Sequence, residues 1–72
     1  MSQTRDTLIT MANQIARFFQ SQGSFDLAAA ETAQHIKDFW APRMRRELDE
    51  MIAAGEAAGL SPIAVEAMHR LK

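Results

Sequence analysis

Three glycines and two prolines divide this chain of 72 residues into four segments, and each segment repeats apolar residues at helical spacing. The dividing residues are Gly23, Pro42, Gly55, Gly59 and Pro62. In the first segment, large apolar residues recur at intervals of three and four, which places them on one face of a helix. The chain has one valine, no tyrosine and no alternating apolar run, so strand signals are missing. The sequence therefore predicts an all-α fold.

Serine and aspartate residues indicate where the first two helices begin. The first helix is expected at about residues 7–21 with Asp6 as its N-cap, and the second at about residues 25–40 with Ser24 or Asp26 as its N-cap. The apolar stripe of the second helix is small at its start and bulky at its end, so another helix can approach closely near its alanines. The members of that stripe are Ala29, Ala33, Ile36, Phe39 and Trp40.

Proline marks the start of the other two helices. Pro42 has no N–H to lose at the first helical position, and it disfavours helical geometry at Ala41, so a bend is expected after Trp40. Ser61 followed by Pro62 predicts the start of a short fourth helix that ends near residue 71. We therefore expect one domain over residues 1–72, a small compact bundle of three main helices plus a short C-terminal helix.

The composition indicates a helical module that depends on a partner. A chain of this length buries only about 60% of its unfolded surface, and its core rarely supplies more than about 3–5 kcal/mol of net stability. Without cysteine it cannot add disulfides, thiolate zinc sites or cysteine-ligated iron–sulfur clusters. The net charge of −1 provides no overall attraction to nucleic acid or anionic lipid. A binding partner remains as the source of added stability.

The distribution of apolar residues also bears on localisation. No apolar run is long enough for a membrane span, since Arg17 and Lys37 interrupt the richest stretches. The polar segment Met1–Thr7 lacks the continuous apolar stretch of a secretory signal. We therefore expect a cytoplasmic protein that does not bind a membrane.

Two histidines are the main candidates for chemistry. His35 precedes Asp38 by three residues, a spacing that can orient an imidazole but is also common on helix surfaces. Nothing nearby completes a reactive set, so a structural or surface role is expected for His35. His69 lies in the last turn of the last predicted helix, where an imidazolium complements the helix dipole. No catalytic, cofactor-binding or metal-binding residue is therefore predicted.

Charged residues at the start of the third helix form two groups. Glu47 and Glu50 each follow an arginine by four residues, as expected of an ion-paired, solvated helix face. Arg43, Arg45 and Arg46 crowd the first turn, where the helix dipole favours anions instead. Positive charge is locally unfavourable there, so we infer that this turn meets an acidic partner surface.

Four aromatic residues come in two adjacent pairs, near the ends of the first two helices. Neighbouring residues on a helix point about 100° apart, so one member of each pair can pack in the core while the other anchors another protein. Core packing remains the more common role of any single aromatic side chain in a small domain. The pairs are Phe18 with Phe19 and Phe39 with Trp40.

The segment at residues 39–45 combines tryptophan and arginine, the residue types most enriched among binding hot spots. We expect its aromatic pair and arginines to project together from the bend at Pro42. The predicted partner-binding residues are Phe39, Trp40, Arg43, Arg45 and Arg46. In the competing interpretation, Trp40 closes the core and the arginines are only solvated.

Three residues outside the main stripes are also expected to be exposed, namely Ile9, Phe25 and Leu27.

Two blocks of the sequence resemble a known family. They are LITMANQIARFF at residues 8–19 and HIKDFWAPRMR at residues 35–45. Both combine rare residues in a fixed order and resemble the delta subunit of NAD-dependent, molybdenum-containing formate dehydrogenases. Chain length and the alanine-rich stretch between the blocks are also similar to that family.

The resemblance implies a small accessory subunit of a soluble complex that oxidises formate to carbon dioxide and reduces NAD. In that family the molybdenum cofactor, the iron–sulfur clusters and FMN belong to larger subunits, so no cofactor is expected in this chain. The chief expected partner is the catalytic molybdenum-containing subunit. The alternatives are a small helical DNA-binding or protein-adaptor module and, with less support, a free-standing enzyme.

Overall fold

The computed structural model describes the backbone of residues 3–72 and the side chains from residue 5 onward. Four helices follow one another within this range, and the described residues include no strand. The predicted all-α fold, with three main helices and a short C-terminal one, is confirmed. The helices are α1 (Gln3–Gln20), α2 (Phe25–Phe39), α3 (Pro42–Ala53) and α4 (Pro62–Arg70).

Two serine caps form as the sequence predicts. The Ser24 hydroxyl accepts a hydrogen bond from the Leu27 N–H at 3.1 Å, and the Ser61 hydroxyl accepts one from the Ala64 N–H at 3.2 Å. Each satisfies a backbone donor that the first turn of a helix leaves without a partner. The prediction of Asp6 as an N-cap is wrong, because α1 extends back to Gln3. Asp6 lies inside the first turn, where its carboxylate complements the helix dipole.

The bend before α3 also forms as predicted. Trp40 and Ala41 have extended backbone, with ψ angles of 141° and 143°, and Pro42 is the first residue of α3. This geometry follows from the steric restriction that proline places on the residue before it. The bend sets the start of α3 beside the ends of α1 and α2.

Alanines allow the helices to approach one another closely. α2 lies between α1 and α4 and packs most extensively against those two helices. Small residues at these contacts let backbones come together, while larger side chains fill the ends of the core. The fully enclosed small residues include Ala12, Ala28, Ala29, Ala64 and Ala67, and the larger core residues include Leu8, Ile36, Leu48, Met51 and Met68.

The predicted stripe of α2 is wrong at one position. Phe39 is 73% exposed, whereas Thr32, which the prediction omitted, is fully buried. α2 is enclosed on two sides, by α1 and by α4, so its buried face is displaced toward Ala28 and Thr32 and away from Phe39. A prediction that uses only the positions of apolar residues along α2 does not include this displacement, because it arises from contacts with two other helices.

Polar contacts fasten the connection between α3 and α4 to α1. The Asn13 side-chain amide donates to the Gly59 carbonyl at 2.8 Å, and its oxygen accepts from the Ser61 N–H at 2.8 Å. Arg5 forms an ion pair with Glu56 at 2.6 Å. These contacts hold the start of α4 against α1 without adding to the apolar core.

A second polar group joins α2 to α4. Arg70, at the end of α4, donates hydrogen bonds to Asp26 at the start of α2 and to Glu66 on its own helix. These hydrogen bonds, chiefly the one to Asp26, raise the pKa of the Arg70 guanidinium above its ordinary value.

No helix within the described residues is both long and apolar enough to cross a membrane.

Candidate docking surface

An open apolar groove of about 690 Å³ lies where α1, the end of α2 and the first turn of α3 meet. Seven of its nine lining side chains are apolar, and only Gln14 and His35 are polar. A concave surface of this composition is typical of a site that receives apolar groups from a ligand or a protein. The groove is lined by Met11, Gln14, Ile15, Phe18, Phe19, His35, Phe39, Trp40 and Met44.

The two aromatic pairs both line this groove, one from α1 and the other from the end of α2. Phe18 is 66% exposed and Phe39 is 73% exposed, whereas Trp40 is only 6% exposed and Phe19 is half-buried. The rings of Phe18 and Phe19 meet edge to face with their centroids 5.0 Å apart. One member of each pair therefore packs inward, as predicted, Trp40 fully and Phe19 partly, whereas anchoring of another protein by the exposed member stays a prediction.

His35 belongs to the aromatic wall of the groove. Its ring is half-buried and lies 4.6 Å from the Phe39 ring and 6.3 Å from the Phe19 ring, between centroids. The Asp38 carboxylate accepts a hydrogen bond from Gln34 at 2.9 Å rather than from His35. The structural role predicted for His35 agrees with this packing. His69 is exposed in the last turn of α4, as predicted.

The expectation that the aromatic pair and the arginines project together from one corner is wrong. Trp40 is buried in the core, as the competing interpretation has it, and its ring supports the groove from behind instead of projecting. Arg45 and Arg46 line a separate cleft of about 260 Å³ between α3 and the end of α4, and the exposed Arg43 lines neither recess. Adjacent helical residues point about 100° apart, so Met44 faces the groove while its neighbours face elsewhere. Partner binding by these five residues stays a prediction.

The first turn of α3 carries concentrated positive charge. In the part of the chain that the structure describes, none of the ion pairs includes Arg43, Arg45 or Arg46. The predicted pairs of these arginines with Glu47 and Glu50 are therefore not formed. Ala41, the N-cap residue, also has no side chain that could accept a hydrogen bond from this turn. The helix dipole and three arginines thus meet at this turn without an ion pair among the described residues, although Asp49 lines the same cleft as Arg45 and Arg46.

Other exposed apolar residues lie away from the groove. Phe25 is 51% exposed and Leu27 is 44% exposed, as predicted. The exposure predicted for Ile9 is wrong, because Ile9 is half-buried and packs against the core. Its Cγ2 atom lies 3.6 Å from the position that a Cβ on Gly59 would occupy. The connection after α3 folds over α1 and covers Ile9, which the helical pattern of α1 alone does not indicate.

The floor of the groove was missed from the sequence. Met11, Ile15 and Met44 have the spacing of core residues, and the sequence gives no sign that they line an open recess. The sequence does contain one signal for this recess. The apolar face of α1 extends as far as Phe18, and a core of this size cannot enclose all of its side chains.

No group of three or more histidine, aspartate or glutamate side chains among the described residues is placed to hold a metal ion.

Comparison with known proteins identifies the family. Searches of curated proteins and of solved structures found no match. A family model described as "NADH-dependant formate dehydrogenase delta subunit FdsD" matches residues 7–68. The matched range includes both sequence blocks that carry the resemblance and every residue that lines the groove. The chain therefore belongs to the family of delta subunits of NAD-dependent formate dehydrogenase, an oxidoreductase complex.

Proposed function

We propose that this chain is a non-catalytic accessory subunit that binds the molybdenum-containing catalytic subunit and supports assembly or stability of the complex. The complex oxidises formate to carbon dioxide and reduces NAD. Family membership supports association with other subunits of the enzyme. The observation that carries the finer proposal is the open apolar groove between Phe18 and Phe39.

Burial of the groove rims provides a driving force for this association. Complete burial of one phenylalanine side chain contributes about 1.5–3 kcal/mol, and both rim residues are mostly exposed in the free chain. Exposed apolar surface that borders a recess is typical of interaction sites. The free chain therefore has surface that a partner stabilises by covering it.

The residues of the first turn of α3 provide specificity in this proposal. Arg43, Arg45 and Arg46 form no ion pair among the described residues, so their guanidinium groups are available to carboxylates of a partner. Phe39 inserts its ring into the partner. Trp40, which is almost fully buried, forms part of the groove wall next to Phe39.

The redox chemistry belongs to the larger subunits in this proposal. Formate oxidation with NAD reduction moves two electrons, and the molybdenum cofactor, the iron–sulfur clusters and FMN that carry them are proposed to lie outside this chain. Protein-bound iron–sulfur clusters depend on cysteine thiolates, and this sequence has no cysteine. The contribution of the chain is to bind, not to transfer electrons.

Deletion of the chain tests the accessory role. The complex is purified from its host with and without this subunit, and formate-dependent NAD reduction is measured per mole of bound molybdenum. We expect less intact complex in the deletion strain but unchanged activity per mole of molybdenum. A normal yield of complex with an altered KM for formate would contradict the proposal and indicate a role in the active site.

Recovery of the tagged chain tests the identity of the partner. Native mass spectrometry of the chain purified from its own host should find it bound to the molybdenum-containing subunit. Binding to DNA would support the alternative of a DNA-binding module. Binding to other proteins alone would support an adaptor.

A further inference from the structure

We propose that the groove holds one amphipathic α-helix of a larger subunit, with three apolar anchors over two helical turns and a carboxylate at the end next to α3. This inference rests on the proposed function, because it takes the helix to belong to the catalytic subunit. It adds the conformation and the side-chain pattern of the segment that occupies the groove.

Hydrogen bonding favours a helical occupant. The walls of the groove are side chains of three helices, and only Gln14 and His35 among them are polar. The backbone N–H and C=O groups that an extended segment turns toward these walls would find few partners there, at a cost of about 1–3 kcal/mol for each group left without one. An α-helix satisfies its own backbone and presents only side chains.

The dimensions of the groove determine the spacing of the anchors. Along α1 the lining residues run from Met11 through Ile15 to Phe18, a span of seven residues. At 1.5 Å per residue this span is about 10 Å, the length of two helical turns. A helix lying along it contacts the groove with residues i, i+3 or i+4, and i+7.

Charge determines where the carboxylate lies. No aspartate or glutamate lines the groove, and Arg43 directly precedes Met44, its α3 wall. The acidic residue Asp38 adjoins Phe39 on the α2 side of the groove, and its carboxylate accepts a hydrogen bond from Gln34. Opposite charges across an interface fix its orientation, so the acidic end of the partner helix lies toward Arg43 and away from Asp38.

A second copy of this chain does not provide such a helix. Outside the groove, the large exposed apolar residues among those whose side chains the structure describes are Phe25 and Leu27 on α2 and Val65 on α4. Phe25 and Leu27 are two residues apart, so they point about 200° from each other, and Val65 has no exposed apolar neighbour on its helix. The helices α2 and α4 therefore do not present three apolar anchors over two turns. The helix α1 has this spacing at Met11, Ile15 and Phe18, but its residues 11–18 include Arg17 and no carboxylate that could pair with Arg43.

Photocrosslinking in the assembled complex identifies the occupant. We propose the variants Phe18→p-benzoylphenylalanine and Phe39→p-benzoylphenylalanine, whose exposed positions tolerate the larger ring. The matched control is Phe25→p-benzoylphenylalanine, an exposed phenylalanine at the other end of α2. Both groove variants should crosslink to one segment of the catalytic subunit with apolar residues at i, i+3 or i+4, and i+7 and an acidic residue at one end. The control should not crosslink to that segment.

A charge exchange then tests the orientation. A synthetic peptide of the crosslinked segment should bind the full chain about tenfold more weakly after Arg43→Glu. Replacement of the acidic peptide residue by lysine should restore the affinity. The matched control is Arg17→Glu, which changes an exposed arginine of α1 outside the groove and should leave binding unchanged.

The outcomes separate this inference from the proposed function. Crosslinks to a loop or strand of the catalytic subunit would overturn the helix and leave the proposed function standing. Crosslinks to such a helix on another subunit would support the helix and contradict the catalytic subunit as partner. Crosslinks to a second copy, or none in the assembled complex, would overturn the inference.

Discussion

The two ends of α2 each expose a phenylalanine, but their surroundings differ. At the start of the helix, Phe25 adjoins the Ser24 cap and the ion pair of Asp26 with Arg70, which satisfy the local polar groups. At the other end, Phe39 borders an open groove, and the nearby arginines of α3 have no ion pair among the described residues. Exposure of an aromatic ring therefore does not identify a docking site by itself. A recess and uncompensated charge beside the ring distinguish the second end from the first.

At the end of α2 that borders the groove, substitution of Trp40 should affect folding far more than substitution of Phe39. Trp40→Ala removes a buried ring and should lower the free energy of unfolding by about 3–5 kcal/mol, enough to unfold a small isolated chain. Phe39→Ala should change it by less than about 0.5 kcal/mol. Thermal unfolding followed by circular dichroism measures both. Equal destabilisation by the two changes would show that Phe39 is part of the core.

Removal of the arginines should weaken association without affecting folding. Arg43→Ala combined with Arg45→Ala should reduce the binding free energy to the larger subunits by about 2–4 kcal/mol, because carboxylates of the partner lose their counter-charges. The melting temperature of the free chain should not change. A pull-down at fixed salt measures the association, with Arg17→Ala as the control. If the variant associates as strongly as the wild-type chain, these arginines are only solvated and do not contribute to binding.

The two exposed phenylalanines should differ in binding. Phe39→Ala should weaken association by about 2 kcal/mol, since it removes a ring that the partner covers. Phe25→Ala should have no measurable effect, although it deletes the same side chain from the same helix. Titration calorimetry with the purified larger subunits provides both values. Equal losses at the two positions would remove the distinction between the two ends of α2.

The smallest expected effect concerns the cap at the start of α2. Ser24→Ala should lower the free energy of unfolding by about 1 kcal/mol, because the Leu27 N–H loses its hydrogen-bond acceptor. It should not change the affinity for the partner, since this end of α2 lies outside the groove. Denaturant unfolding and the same calorimetric titration test the two statements. A loss of affinity would place the start of α2 in the interface.

Local sequence signals predicted most of the fold. Ser24, Ser61 and Pro42 form the helix starts that their positions indicate, because capping depends on residues close together in the chain. The groove could not be predicted in the same way. It depends on how three helices meet, and in the linear pattern Met11 and Met44 are indistinguishable from core residues.

The orientation of neighbouring side chains was the main source of error at the candidate site. Phe39 and Trp40 are adjacent in sequence, but one lies outside and the other in the core. The sequence correctly predicts that such pairs divide, yet it does not determine which member turns inward. That choice depends on α1, whose Phe19 and Ile15 form the facing wall of the groove. Only the packing of the folded chain contains this information.

Hydroxyl-radical footprinting of the intact complex tests the central claim most directly, because it compares Phe39 and Phe25 in one sample without any substitution. In the free chain Phe39 is 73% exposed and Phe25 is 51% exposed, so Phe39 should be labelled faster there. In the complex, we expect the reverse order, with labelling of Phe39 several-fold slower than that of Phe25. Labelling of Phe39 that remains faster than that of Phe25 in the complex would contradict the assignment of the groove as the docking surface.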